Sequence, residues 1–193
     1  MSIPVIVFAR APVPGRVKTR LAARLGAWRA ARLHLRLTRL ALRTARAAAC
    51  GPVELHVSAH HAAFPVREKK FLQRGNNLGE RMYRALHRHK RAILIGSDCP
   101  ALRAADLRAA ARRLRAGYRV VLAPAEDGGY ALIAARRPSR AFFVGLARGG
   151  PDVFAETTRR LQGVRWSRLR EVWDVDRPED LARLRALLFT RRY

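Results

Sequence analysis

The chain has 193 residues, with 40 Lys or Arg against 14 Asp or Glu, a formal net charge of +26. That length suits one domain, residues 1–193, with a hydrophobic core, and no apolar run is long enough to span a membrane. Two cysteines, Cys50 and Cys99, are too few for a disulfide framework or a zinc site; with no charged leader ahead of the first apolar run, the expected location is cytoplasmic.

Residues 3–9 are apolar and β-branched and predict a buried strand ending at Ala9. Pro12, Pro14 and Gly15 stop it, and a helix is predicted over 17–25. Arg16, Lys18 and Arg20 gather where that helix begins. A helix start offers unpaired N–H groups and the positive end of a dipole, so cations belong there only if an anion offsets them. The loop therefore reads as a phosphate loop, although it is neither a Walker loop nor a Gly-x-Gly-x-x-Gly turn. An ordinary strand–loop–helix turn is the alternative.

A second helix is predicted over 27–49, with arginines at 29, 32, 36, 39, 43 and 46 beside a stripe of Leu33, Leu37 and Leu40. The arginines read first as a solvated face and second as a surface for an anionic partner. Of the 40 cations 36 are arginine, and with Ala and Leu also abundant this looks like compositional drift. No aromatic residues interleave with them to stack bases, so no specific nucleic acid is expected, only salt-sensitive attraction to polyanions.

Strands follow at 53–58 and 69–73, with His60 and His61 in the loop between them. Asn77 and Glu80 have the spacing of a helix cap for residues 78–89. Gln73 has an amide suited to a base edge, and Glu80 with Arg81 could equally be a surface ion pair. The strand at 92–96 delivers Ser97-Asp98-Cys99-Pro100, where Asp98 either caps the turn before helix 104–116 or holds a hard cation. Glu126-Asp127-Gly128-Gly129-Tyr130 joins strands 119–124 and 129–135. It is a hairpin turn, or a place where glycines admit an acceptor whose hydroxyl proton goes to Asp127. Helices are predicted at 140–147 and 151–162, a last strand at 169–175 and a last helix at 178–189. Asp176 and Glu179 have capping-box spacing. Asp174 shares a strand face with Asp176, and two carboxylates so placed call for a cation between them.

Strands alternating with helices imply right-handed crossovers and a mostly parallel, twisted sheet in a three-layer α/β/α fold. The polar clusters fall past strand ends, where open sheets of this kind bind ligands.

Five blocks occur in order: residues 8–21, Leu78-Gly-Glu-Arg-Met82, Ile95-Gly-Ser-Asp-Cys-Pro100, Asp127-Gly-Gly-Tyr130 and residues 173–181. Together they resemble a bacterial family of small glycosyltransferase-A-like proteins. Some of its members carry the label of arsenosugar-biosynthesis glycosyltransferase. More distantly they resemble molybdenum-cofactor and phospholactate guanylyltransferases. The resemblance implies a Rossmann-like nucleotide-diphospho-sugar transferase fold binding a nucleoside triphosphate or NDP-sugar with Mg²⁺ or Mn²⁺. It implies that Ala9, Pro14, Gly15, Arg16, Lys18, Arg20, Gln73, Gly79 and Arg81 bind the nucleotide, with Arg16, Lys18 and Arg20 facing its phosphates, Lys18 also aiding catalysis, and Gln73 and Gly79 by the base. Asp98 and Asp176 would hold the metal, while Asp127, Gly128, Gly129 and Tyr130 would meet a small-molecule acceptor, with Asp127 as base. Two departures stand out: Asn77 replaces a common Asp, and Gly149-Gly150-Pro151 replaces a Trp-Ser/Gly-Thr stretch. The expected activity is glycosyl transfer from an NDP-sugar. Nucleotidyl transfer is the second reading and non-catalytic polyanion binding the third.

Overall fold

The computed structural model describes residues 2–65, 67–143 and 152–190. In chain order the elements are β1 (Val5–Ala9), α1 (Thr19–Leu25), α2 (Ala27–Ala48), β2 (Val53–Val57), β3 (Lys69–Leu72), α3 (Leu78–His87), β4 (Arg91–Gly96), α4 (Ala104–Arg115), β5 (Val120–Pro124), β6 (Tyr130–Arg136), α5 (Val153–Arg160), β7 (Trp166–Arg168) and α6 (Asp180–Thr190).

The seven strands form one sheet in the order β3-β2-β1-β4-β6-β5-β7. All neighbours run parallel except β6, which is antiparallel to both β4 and β5. Central strands are apolar on both faces because helices cover both. Val5, Val7 and Ala9 of β1 pack into one core with Leu37 of α2, Leu107 of α4 and Leu184 of α6. Ile6 and Phe8 pack into the other with Met82 and Leu86 of α3 and Phe143. This is the three-layer arrangement expected for near-continuous hydrophobic parallel strands.

Several boundaries depart from expectation, three of them for a clear local reason. α1 starts at Thr19 because Lys18 takes a left-handed conformation, φ 48°. The last regular strand is Trp166–Arg168, not 169–175. Residues 169–172 still follow β5, with Leu169 N–H on the Leu122 carbonyl and Val172 N–H on the Pro124 carbonyl. Arg170 then anchors on Asp106 and the Ala101 carbonyl, and the chain leaves β5 for the end of β4. α6 begins at Asp180, whose carboxylate accepts the N–H groups of Asp176 and Arg177. Asp180, not Glu179, is the capping acid, which leaves the Asp176 side chain for other contacts. Of the expected helix at 140–147, Arg140–Phe142 is a single 3₁₀ turn, and 144–147 lie outside the described residues. The Gly149-Gly150-Pro151 departure lies outside them as well.

Candidate active site at the sheet's switch point

From β1 the sheet grows one way to β2 and β3 and the other way to β4, so the loops leaving the carboxyl ends of β1 and β4 diverge. In doubly wound folds such a divergence marks the place where ligands bind. The β1 loop, residues 10–18, is held by two outside residues and by a turn of its own. Ala11 N–H donates to Ser58 Oγ, 2.9 Å; His34 Nε2 lies 2.9 Å from the Arg10 carbonyl; and Arg16 N–H donates to the Val13 carbonyl. Gly15, at φ 76°, supplies a left-handed turn that a side chain would strain. Lys18 adopts a similar φ without being glycine, at a cost of roughly 1–2 kcal/mol.

That strain aims the Lys18 side chain inward. Its ammonium donates to Asp98 Oδ2 at 3.1 Å and lies 3.9 Å from Asp176 Oδ1. Arg20 Nη1 donates to Asp176 Oδ2 at 2.7 Å. The two aspartates meet because Val175 N–H donates to the Asp98 carbonyl, 2.9 Å, stitching the segment before α6 onto the end of β4. The lysine side chain is 6 % exposed, whereas Asp98 and Asp176 keep 40 % and 38 % of theirs open. The acids therefore line an open floor over a buried cation.

Burial alone would lower the Lys18 ammonium; Asp98, by charge and hydrogen bond, more than offsets it, with Asp176 and Asp174 behind. Burial would likewise raise Asp98, and Lys18 brings it below the usual carboxylate value. Among the described residues Asp174 has no ion pair of its own, and Lys18 acts on it only from a distance. Burial, with Asp98 and Asp127 nearby, pushes it up to about 6. Even in a chain of charge +26 this spot is short of positive charge. Burial, followed by Asp98 and Asp174, drives the Cys99 thiol well up, so it is a packing residue and not a nucleophile.

The other expected site residues are distributed around this cluster. Gln73 donates its amide N–H groups to the carbonyls of Ala9, 3.3 Å, and His56, 2.9 Å. It pins the ends of β1 and β2, and what it can still offer a base is its oxygen. Gly79 lies under the Phe143 carbonyl, where any Cβ would overlap. Arg81 Nε donates to the Gly75 carbonyl, and Glu80 pairs with Arg84, not Arg81. Asn77 caps α3 by accepting from Glu80 N–H, a duty that Asn performs as well as the Asp it replaces. Asp127 sits in the β5–β6 turn and accepts from Gly129 N–H, with Gly128 at φ 87°. Tyr130 turns its hydroxyl inward to Met82 Sδ, 3.9 Å, so it braces β6 against α3. Arg16 is exposed at the rim.

Three contributors carry little sequence signal. His34, on the buried face of α2, orients the phosphate-loop candidate through Arg10; a lone histidine in an apolar stripe is the one hint. Ser58 holds Ala11 from the end of β2. Arg183 grips both oxygens of Glu126, 2.7 and 2.9 Å, and so ties the Asp127 turn to α6 beside Asp176.

Comparison with known proteins agrees with this fold. The profile of a family described as an uncharacterized protein conserved in bacteria, DUF2064, matches residues 35–150. No curated protein matches the chain in sequence. A structure from Desulfovibrio desulfuricans G20, provisionally named a nucleotide-diphospho-sugar transferase, is 28% identical with a TM-score of 0.83, over 92% of this chain and 84% of that one. CMP:2-keto-3-deoxy-manno-octonic acid synthetase complexed with CTP superposes with a TM-score of 0.65 at 15% identity, over 99% and 100% of the two chains. The manganese complex of Rv0371c from Mycobacterium tuberculosis H37Rv does so with 0.60 at 19%, over 95% and 98%. The fold is thus that of nucleotide-diphospho-sugar transferases and nucleotidyltransferases.

Proposed function

The chain belongs to DUF2064, and from that premise we propose that it is a metal-dependent transferase acting on a nucleotide or nucleotide-sugar, specifically a glycosyltransferase with a small hydroxyl acceptor. One observation carries the reading: the buried Lys18 ammonium standing between Asp98 and Asp176 at the switch point of the sheet. Arg16, Lys18 and Arg20 bind the diphosphate, and Gln73 accepts a hydrogen bond from the base. Asp127, on its glycine turn, takes the acceptor's proton.

Mg²⁺ or Mn²⁺ fits this donor set. Asp98 and Asp176 present hard oxygens that already converge on one cation, the lysine ammonium. Among the described residues no three ligating side chains come together, which suits an ion that draws its other ligands from substrate phosphates and water. Bound there, it would offset diphosphate charge as a Lewis acid. Asp98 and Asp176 would hold it, and Lys18 would remain as a second cation on the leaving group. In the transfer, the bond from the anomeric carbon to the diphosphate oxygen breaks and one to the acceptor oxygen forms. The acceptor proton passes to Asp127, and the diphosphate leaves with its electron pair toward Lys18 and Arg20.

A nucleotidyltransferase reading is supported by the full-length superposition on the CTP-bound synthetase. There the acceptor phosphate attacks the α-phosphorus, pyrophosphate departs, and Asp127 has no proton to take. A thermal-shift panel of nucleoside triphosphates and NDP-sugars, with and without Mg²⁺ or Mn²⁺, decides. A ligand at 100 times its dissociation constant adds about 2.7 kcal/mol. Metal-dependent stabilisation by an NDP-sugar, lost in Asp98→Asn, supports glycosyl transfer, and the same response confined to a triphosphate selects the second reading. Indifference to every nucleotide rejects both.

A further inference from the structure

Away from the carboxylate cluster, α2 and α6 leave a groove of about 640 Å³ between them. Its floor is leucine: Leu33, Leu37 and Leu40 from α2, with Leu181, Leu184 and Leu188 from α6. Arg29, Arg32, Arg36, Arg39 and Arg43 form one wall and Arg185 rises from the other, with no acidic residue in the lining. Among the described residues none of these six arginines belongs to an ion pair, whereas Arg20, Arg84, Arg170 and Arg183 each have a carboxylate. Like charges three and four apart destabilise a helix. A row of them without an ion-pair partner among the described residues is a face open to an anionic partner.

The remaining features narrow down that molecule. Leu188 is 42% exposed at the groove, and Trp28, 75% exposed, stands beside Arg29 at the start of α2. Trp and Leu set among arginines are the composition of helices that lie in a lipid interface. The guanidinium fork matches phosphate, and Arg29 to Arg43 spans about 21 Å of helix, enough to meet several headgroups. Single-stranded nucleic acid would find a leucine floor with one aromatic, Trp28 at its end, where successive bases need a row of them. A second copy of the chain would set six arginines against six. No helix among the described residues is long and apolar enough to cross a membrane, so contact would be peripheral.

We propose that the α2–α6 face docks the protein on a bilayer rich in anionic phospholipid. The arginines take the headgroup phosphates, and Trp28 and Leu188 enter the interface. This proposal stands independently of the transferase reading.

The test is sedimentation of the full chain with vesicles of phosphatidylcholine alone, or with roughly one third phosphatidylglycerol to supply negative surface potential. Binding is expected to the anionic vesicles only. Arg32→Glu/Arg36→Glu lowers the partition by at least about ten-fold, given the contribution of each cation near such a surface. The control Lys69→Glu/Lys90→Glu makes the same change in net charge on β3 and beyond α3, and shifts binding by less than about two-fold. Trp28→Ala removes the part of binding that survives roughly 0.5 M salt, where charge is screened. All three variants alter exposed side chains, and a melting curve for each checks that the fold is kept. Equal losses in both double variants would reduce the effect to generic attraction and overturn the proposal. So would failure to bind anionic vesicles, or a preference for soluble poly-glutamate over them, which would point to an acidic protein instead.

Discussion

Lys18 and Asp98 are 80 positions apart in sequence, and the ammonium of one donates to the carboxylate of the other at 3.1 Å. The contact follows from topology: β1 and β4 are parallel neighbours, Phe8 opposite Gly96, so the loops that leave them start side by side. Backbone strain at Lys18 is held in place by this contact, a pattern common where a site is built ahead of its ligand.

Replacing Lys18 by Met should therefore destabilise the protein. The pair is half open at Asp98, so the loss is nearer about 1–2 kcal/mol than the larger cost of a fully buried pair. Asp98 lies below its ordinary value and Lys18 above 10.5. The stability Asp98 contributes is present above pH 3.8 and is lost as pH falls through its lowered value. That of Lys18 is present below 10.5 and is lost as pH rises through its raised value. The deficit of Lys18→Met is thus largest at neutral pH and closes in strong acid. Added Mg²⁺ should restore more stability to the variant than to the parent. Denaturant titrations across pH, with and without chelator, read both effects; superimposable curves for the two proteins would disprove them.

Gln73 has a structural duty that can be told apart from the proposed recognition of a base. Its amide joins the Ala9 and His56 carbonyls, so Gln73→Leu leaves two acceptors without that donor and should cost about 1–3 kcal/mol with no ligand present. Gln73→Glu should cost more, because a carboxylate would face two carbonyls. Any contribution to base binding appears on top of this, as a weaker nucleotide-induced shift in Gln73→Leu. An unchanged melting temperature in the apo protein would remove the structural duty.

Much of this arrangement was legible in the sequence. The apolar strands and the periodic helices give the layer order, and the polar residues just past β1, β4 and β5 mark the site's end of the sheet. What was not legible depends on tertiary contacts. The 169–175 run has the apolar content of a strand and follows β5 as far as Val172, but Val175 N–H goes to the Asp98 carbonyl, so the run crosses to the end of β4 and builds no regular ladder. Asp180 outcompetes Glu179 as the cap because the chain turns at Pro178 before α6 begins. Arg183 and His34 were hidden for opposite reasons: one is among 36 arginines, and the other shares with Thr38 a helix face that otherwise reads as core.

Gly79 owes its identity to a neighbour and not to its own backbone. A Cβ there would overlap the Phe143 carbonyl, and Phe143 is fully buried in the core beneath α3. Gly79→Ala must push α3 and the 142–143 turn apart, which overpacking data put at about 1–3 kcal/mol. Equilibrium unfolding should show a lower midpoint with an unchanged slope. A neutral result would mean that the turn gives way freely.

Glu54 offers a pH signature remote from the candidate site. It lies on the opposite side of β2 from Leu55, nearly buried, with Oε2 2.9 Å from His56 Nε2 and Oε1 3.2 Å from His89 Nε2. Burial would raise its pKa, but the hydrogen bond from His56 and the charge of His89 bring it below 4.5. A lowered carboxylate contributes stability that is fully present above pH 4.5 and drains away as pH falls through the native value. Glu54→Gln removes an acceptor from one of the two histidines and turns a donor toward it. The expected loss is about 1–3 kcal/mol at neutral pH, and the variant and parent curves should converge below pH ~4. Persistence of the full deficit in acid would assign the loss to altered packing around Phe71 and Phe8, whose rings flank His56, and not to the ionised carboxylate.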